Sequence, residues 1–181
     1  MRIVEINLYK YKELSEQAQK KALDKFIEYN HYDDMLSEIL HESLKIFLED
    51  VGIESIDEDK LKIYYSIGYS QGDGVCFIGE FRFKDSPDIV TTVDHHSRYY
   101  HKKSTDISSK YYNKGDEYDI TQQEAAEIVK VSRKFRLIYY EICDKLEKEG
   151  YDFIEHEDSE ENFEALCDMN DWEFYQNGRM Y

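Results

Sequence analysis

The sequence predicts an α+β fold, a single domain over residues 1–181 in which an antiparallel sheet of about four strands packs against helices. Apolar residues recur at three- and four-residue spacing over residues 22–27, 35–48 and 128–146, which indicates helices with one apolar face. Alternating segments indicate strands, and a sheet gives those helices an apolar surface on which to pack. A length of 181 residues with 41% apolar residues suits one domain with a substantial core.

The first third of the chain is predicted to contain one strand and two helices. Apolar and polar residues alternate over residues 4–8, as in a half-buried strand. Ser15 is placed to cap the first helix, whose apolar stripe begins at Ala22. The second helix begins near residue 33, carries an apolar stripe from Met35 to Leu48, and is predicted to end at Gly52.

Three further strands are predicted over residues 61–69, 75–83 and 89–93. The first two flank the glycine-rich stretch "SQGDG", which raises the question of a phosphate-binding loop. Such a loop leads into a helix, whereas a strand pattern follows Gly74 here. We therefore interpret the stretch as a hairpin turn in which Asp73-Gly74 supplies a positive φ. Gln71 and Asp73 in this turn are candidate contacts with a partner.

Residues 95–119 interrupt the alternating pattern and are predicted to form a long tyrosine-rich loop, an insertion or a ragged hairpin. Successive side chains of an extended segment point in opposite directions, so paired tyrosines leave some rings exposed. Exposed tyrosines are common in protein-binding surfaces. The candidate partner contacts in this segment are Tyr99, Tyr100, Tyr111 and Tyr112.

The longest predicted helix begins at Thr121. Thr-Gln-Gln-Glu forms a capping box, in which Thr121 and Glu124 each satisfy a free amide of the other. Apolar residues then continue to Leu146 at helical spacing, and Gly150 is predicted to end the helix.

Residues 149–181 are predicted to form an acidic helix followed by a hairpin, with Asn177-Gly178 as the turn. A short helix is predicted from about Ser159 to Met169. When residues 157–171 are projected onto one helix, six carboxylates fall in one ridge beside an apolar face. We expect this ridge to face solvent and to bind a surface lined with Lys and Arg, although a merely solvated helix face has the same pattern. The candidate partner-binding residues are Glu155, Glu157, Asp158, Glu160, Glu161, Glu164, Asp168, Asp171 and Glu173.

Charge and cysteine content restrict the environment and the partners. Forty acidic against 23 basic residues give a net charge of −17, which disfavours nucleic-acid and anionic-membrane binding over most of the surface. It favours a basic protein partner or simple solubility. The start has no signal-peptide pattern, and no apolar run approaches a membrane span. Three scattered cysteines without a CxxC pair indicate reduced thiols, and hence the cytoplasm.

Enzymatic sites have little support in the sequence. His95 and His96 lie near acids, but adjacent histidines on an extended segment point apart and do not easily share one ion. No local signature marks a nucleophile. We predict no catalytic residue, metal or cofactor. Two alternatives stay open: a metal-dependent hydrolase that uses His95, His96 and nearby acids, and an antitoxin-like regulator that binds a basic protein.

Three blocks of the chain carry a family resemblance. "LYKYKELSEQAQKKALDKF", "YYSIGYSQGDGVCFIGEF" and "ENFEALCDMNDWEFYQNGRMY" cover about a third of the sequence and together resemble a family of small acidic proteins encoded by bacteriophages and prophages. Similar mobile-element proteins include anti-CRISPRs, which block type II CRISPR effector nucleases. The resemblance implies a non-enzymatic counter-defence protein, acting in the bacterial cytoplasm. Its partner would be a host defence nuclease or its guide-RNA complex, whose DNA binding or cleavage it would block.

Overall fold

Four α-helices and five strands are formed by the residues that the structure, a computed structural model, describes: 5–30, 33–112 and 120–181. Two 3-10 helices, Tyr11–Glu13 and Glu58–Lys60, complete the regular structure of these residues. The α+β class is confirmed. The elements in chain order are α1 (Glu16–Tyr29), α2 (Asp33–Asp50), β1 (Ile53–Ser55), β2 (Lys62–Ser66), β3 (Gly74–Phe83), β4 (Ser86–His95), β5 (Thr105–Tyr111), α3 (Gln122–Glu157) and α4 (Glu160–Met169).

The contacts within this fold separate into two compact units. The terminal unit contains residues 1–34 and 152–181, and the sheet unit contains residues 35–151. The sheet and most of α2 and α3 therefore belong to the sheet unit. α1, α4 and the C-terminal segment belong to the terminal unit.

The sheet is antiparallel throughout and is centred on β3. β1 and β2 pair in succession along β3, with Ile53 opposite Phe83 and Ser66 opposite Gly74. β4 pairs with β3 through Gly79 and Val93, and β5 pairs with β4. The three strands predicted in the middle of the chain are thus present as β2, β3 and β4, although β2 is shorter than predicted.

The tyrosine-rich segment contains a strand that the loop prediction missed. β5 pairs along its whole length with β4, from His95 opposite Thr105 to Ile89 opposite Tyr111. Of the predicted alternatives, the hairpin therefore describes residues 95–111. Its alternation is carried by Thr105, Ile107 and Ser109 rather than by apolar residues alone, which makes the pattern weak. Residues 113–119 of the predicted segment lie outside the described residues.

The strand predicted over residues 4–8 is wrong for residues 5–8, and residue 4 lies outside the described range. Ile6 is 51% exposed, so the alternation there does not mark a buried face. Pairing begins at Tyr9 instead, whose backbone forms an isolated antiparallel bridge with Phe174. An alternating pattern makes a strand only where a partner strand is available.

The helix starts agree with the sequence. Ser15 caps α1 by accepting a hydrogen bond from the Ala18 amide, and Ser159 caps α4 in the same way. Thr121 and Glu124 form the predicted capping box, with the Thr121 amide donating to Glu124 at 2.9 Å. Each of these signals acts within one turn, which is why it can be identified from the sequence.

Two details of the predicted helices are wrong. α3 continues past Gly150 and ends at Glu157. Gly150 is buried inside this helix, and a Cβ there would lie 2.3 Å from Ile67 Cδ1. This glycine allows a close approach rather than ending the helix. Met35 was predicted to lie in the apolar stripe of α2 but is 54% exposed. Gly52 follows α2 with φ +70°, as predicted.

The core of the sheet unit forms where α3 packs on β3. The Phe77 ring lies 4.5 Å from the Tyr139 ring, and the Phe81 ring lies 5.5 Å from the Phe135 ring. The Tyr139 hydroxyl donates to the Phe77 carbonyl at 3.1 Å, so this buried tyrosine is also hydrogen-bonded.

All three cysteines are buried and free. Cys76 and Cys143 lie in the sheet unit, and Cys167 lies in the terminal unit. Burial raises the pKa of Cys76 to about 12 and that of Cys167 to about 11. Among the described helices, none is long and apolar enough to cross a membrane.

Candidate functional site

The predicted acidic residues lie over an aromatic core in the terminal unit. Phe163 of α4 is fully buried, with the Tyr11 ring 5.0 Å away and the Phe26 ring 4.7 Å away. Phe174 is also buried and belongs to the same cluster. The apolar face of α4 therefore fixes its orientation, and the carboxylates on its other faces point away from this core.

The six carboxylates predicted to form one ridge, Glu157, Glu160, Glu161, Glu164, Asp168 and Asp171, do not lie on one helix. α3 ends at Glu157, Asp158 lies in the connection to α4, and Asp171 lies after α4 with φ +56°. The predicted short helix from about Ser159 to Met169 is present as α4, but placing the whole stretch 157–171 on one helix is wrong. Ser159 interrupts that helix because it caps α4, and its hydroxyl accepts from the Asn162 amide at 3.1 Å. We call the nine predicted partner-binding carboxylates together the acidic surface.

Two lysines from the N-terminal segment neutralise part of the acidic surface. Lys12 Nζ lies 2.7 Å from Glu164 Oε1 and 3.0 Å from Asp168 Oδ2. Lys10 Nζ lies 2.6 Å from Asp171 Oδ1. Hydrogen bonds to these acids raise the pKa of both ammonium groups. The C-terminal sequence itself gives no sign of these lysines, because they are more than 150 positions away.

The first turn of α4 carries Glu160 and Glu161, where the helix dipole favours acids. Glu160 accepts a hydrogen bond from the Tyr11 hydroxyl at 3.1 Å. Burial, with this bond as a second cause, raises the pKa of Tyr11 well above its usual range. Glu161 is exposed and contacts no basic side chain among the described residues.

Asp73 is the structural centre of the turn between β2 and β3. Its carboxylate accepts from the Gly68 amide at 2.8 Å and the Ser70 amide at 2.7 Å. The hydroxyls of Ser66, Ser70 and Tyr151 also donate to it. Desolvation acts to raise the pKa of Asp73, but these hydrogen bonds outweigh it and hold the pKa well below its usual range. A strand follows the turn, as predicted for a hairpin.

The positive φ predicted at Gly74 is wrong. Gly74 is the first residue of β3, and the left-handed conformations lie at Tyr69 (φ +56°) and Gly72 (φ +113°). The turn is longer than predicted, because β2 ends at Ser66 and Val75 pairs with Tyr65 rather than Tyr69. Gly74 is required for a different reason, since a Cβ there would lie 3.0 Å from the His101 Cα.

Two loops meet at this end of the sheet. A Cβ on Gly72 would lie 3.1 Å from the Tyr99 ring, so residues 67–73 pack against residues 96–104. Gln71, Asp73, Tyr99 and Tyr100 are therefore brought together, and we call this region the tyrosine end. Tyr111 and Tyr112 lie at the opposite end of β5.

The tyrosine end contains a stack of rings. Tyr64 lies 5.2 Å from His95 and 5.6 Å from Tyr100, measured between ring centroids. Arg98 lies over the Tyr99 ring, which is 42% exposed. The result is a partly exposed aromatic surface at one end of the sheet, an arrangement suited to protein contact.

The two histidines proposed as metal ligands point to different partners. His95 Nε2 lies 2.9 Å from the Tyr99 carbonyl, whereas His96 Nδ1 lies 3.2 Å from Asp106 Oδ2. Within the described residues, no group of three or more His, Cys, Asp or Glu side chains could hold a metal ion.

No protein family, curated protein or solved structure matches the chain. The resemblance to small acidic phage proteins therefore rests on the three sequence blocks alone. Chemically, the two candidate regions differ: the acidic surface can pair with cations, whereas the tyrosine end offers aromatic contact area.

Proposed function

We propose that the chain is a non-enzymatic binding protein whose acidic surface docks on a basic protein surface. The supporting observation is the density of carboxylates in the terminal unit. Residues 152–181 contain ten acids and one arginine. Glu155, Glu160 and Glu161 are exposed, as are Asp168 and Asp171. Exposed carboxylates at this density attract Lys and Arg across an interface and speed association at low salt.

Lys12 shows how such a surface holds a cation. Glu164 and Asp168 lie one helical turn apart on α4, and one ammonium group contacts both. A Lys or Arg of a partner would be bound in the same way by other carboxylates of the acidic surface through charge-assisted hydrogen bonds. The contact with Lys12 is exposed, so it is weak enough to be exchanged on docking.

The partner class follows from the resemblance and from the charge. Nucleases that bind nucleic acid carry channels and PAM-reading surfaces rich in Arg and Lys. A host defence nuclease, foremost a type II CRISPR effector with its guide RNA, is the partner that we propose. Occupation of its basic surface would block DNA binding or cleavage without any catalytic step. The identity of the partner and the role of the acidic surface are tested by separate experiments.

The central experiment is a titration of DNA binding by such an effector complex against the protein. Wild type should inhibit at a one-to-one ratio, and less strongly as salt screens the charges. The triple variant Glu161→Lys, Glu164→Lys, Asp168→Lys should lose inhibition, since like charges then oppose docking. Its apolar contacts through Phe163 are unchanged, so far-UV circular dichroism should report a folded protein.

A matched control reverses three acids elsewhere. Glu38, Glu42 and Glu49 are exposed on α2, and their change to Lys alters the net charge by the same amount. This control should inhibit like wild type. If both triple variants inhibit equally, the acidic surface is not the binding site. If wild type itself leaves DNA binding and cleavage intact, the nuclease assignment is wrong, and a pull-down from bacterial lysate then tests for another basic partner.

Removal of the internal lysines provides the opposite test. The double variant Lys10→Gln, Lys12→Gln frees the carboxylates of Glu164, Asp168 and Asp171 from their lysine partners. We expect it to bind the basic partner more tightly than wild type, with a steeper dependence on salt. Weaker binding would show instead that these lysines belong to the interface.

A further inference from the structure

A cavity in the terminal unit lies apart from the acidic surface. It has a volume of about 850 Å³ and is lined by α1 and the C-terminal segment. Volumes of 300–1,000 Å³ are typical of small-molecule sites. Its apolar lining includes Ala22, Phe26, Phe174 and Met180.

The walls of the cavity are held together by a close backbone contact. Gly178 has φ +84°, and a Cβ on it would lie 2.1 Å from the Ala18 carbonyl oxygen. The C-terminal turn is thus pressed against α1 at Ala18. The cavity is lined by residues further along α1, from Lys21 to Tyr29. Phe174 pairs through its backbone with both Tyr9 and Met180, which fixes the second wall.

The polar groups of the cavity are mainly donors. Lys21 and Arg179 line it, and neither pairs with a carboxylate among the described residues. Lys25 and Glu28 neutralise each other, which leaves Asp24 as the remaining acid. The Asn30 Nδ2 atom is buried and has no acceptor in the described part of the chain. The lining is therefore net positive in a protein of charge −17.

We propose that this cavity binds an anionic amphiphile, a molecule with an alkyl tail and a carboxylate head. The tail would occupy the apolar space between Phe26 and Met180. The head would accept hydrogen bonds from Lys21 and Arg179, which both line the cavity. A cationic head would meet two unpaired cations, and a head group without a tail would leave the apolar surface in contact with water.

Trp172 provides the signal for a binding test. It is the one tryptophan of the chain, and its ring lies 6.4 Å from Phe26, which lines the cavity. Dodecanoate, below its micelle concentration, should give a saturable change in tryptophan fluorescence and raise the denaturant midpoint of unfolding. Acetate should do neither. Dodecyltrimethylammonium, with the same tail and an opposite charge, should bind at least about tenfold more weakly.

Lys21→Glu and Lys20→Glu form a matched pair for the head-group site. Both lysines are exposed on α1, but only Lys21 lines the cavity. Lys21→Glu should weaken dodecanoate binding about tenfold, whereas Lys20→Glu should leave it unchanged. Equal binding of the two dodecyl compounds, equal effects of the two variants, or no saturable binding of dodecanoate would each overturn the proposal.

Discussion

Carboxylates serve different purposes in the two units. In the terminal unit, five of the nine acids of the acidic surface are exposed, and Lys10 and Lys12 contact some of the nine through exposed ion pairs. In the sheet unit, Asp73 is partly buried and receives hydrogen bonds from backbone amides and hydroxyls of its own turn. An acid that organises the backbone contributes to folding, whereas exposed acids contribute mainly to what the protein attracts.

The largest effect on stability is expected from Asp73→Ala. The change leaves the amides of Gly68 and Ser70 without their acceptor, and the Tyr151 hydroxyl also loses its partner. We expect the free energy of unfolding to fall by about 2–3 kcal/mol in urea titrations. Asp59→Ala removes an exposed acid in the same unit and should change it by less than about 0.5 kcal/mol. Equal losses in the two variants would refute a structural role for Asp73.

The same carboxylate predicts a pH dependence. Its pKa is lower in the folded protein than the value of about 3.9 for an unfolded aspartate, so the unfolded state binds more protons between these values. The stabilisation by Asp73 is thus present above about pH 4 and is lost as the pH falls through the folded pKa. Unfolding of wild type and Asp73→Asn, measured from pH 6 to pH 3, should show their difference shrinking. A constant difference would contradict this assignment.

The glycines of the turn should differ in their tolerance of a side chain. Gly72→Ala forces alanine into φ +113° beside the Tyr99 ring, and we expect a loss of about 1–2 kcal/mol. Gly74→Ala lacks the φ penalty but crowds the His101 backbone, so a loss of about 1 kcal/mol is expected. Gln71→Ala, at an exposed position, is the control with no measurable loss. A larger loss from Gly74→Ala than from Gly72→Ala would show that crowding at the His101 backbone outweighs the φ requirement at Gly72.

The smallest effect on stability is expected at the acidic surface. Lys12→Gln removes two ion pairs, but the lysine and its partners are exposed, so thermal unfolding should barely change. Added salt should not enlarge the difference from wild type. A clear loss of stability would mean that the carboxylates here organise the fold, as Asp73 does, and the contrast between the two units would then disappear.

Local signals in the sequence were sufficient for much of the fold. The caps at Ser15 and Thr121 each act within a single turn, so their positions could be predicted. The turn between β2 and β3 was recognisable because an Asp-Gly pair follows an alternating segment. The longest helix was found from its apolar spacing, although its end at Glu157 was not.

What the sequence did not predict depends on distant partners. Gly150 is inside a helix because Ile67 packs against it, and no rule for helix ends contains that information. The acidic surface was expected to be free because no Lys or Arg lies between Glu149 and Gly178. Lys10 and Lys12 approach it only in the folded chain. The sequence identified Asp73 only as a turn residue and a candidate contact. Its structural role was missed because one of its hydrogen-bond donors, Tyr151 on α3, is distant in the sequence.

The buried cysteines give each unit its own chemical reporter. A thiol with a raised pKa and no access to solvent does not react with an alkylating reagent until the structure around it opens. Cys167 therefore reports opening of the terminal unit, whereas Cys76 and Cys143 report opening of the sheet unit. Mass spectrometry of the labelled peptides over time would measure the two opening rates in one unmodified protein.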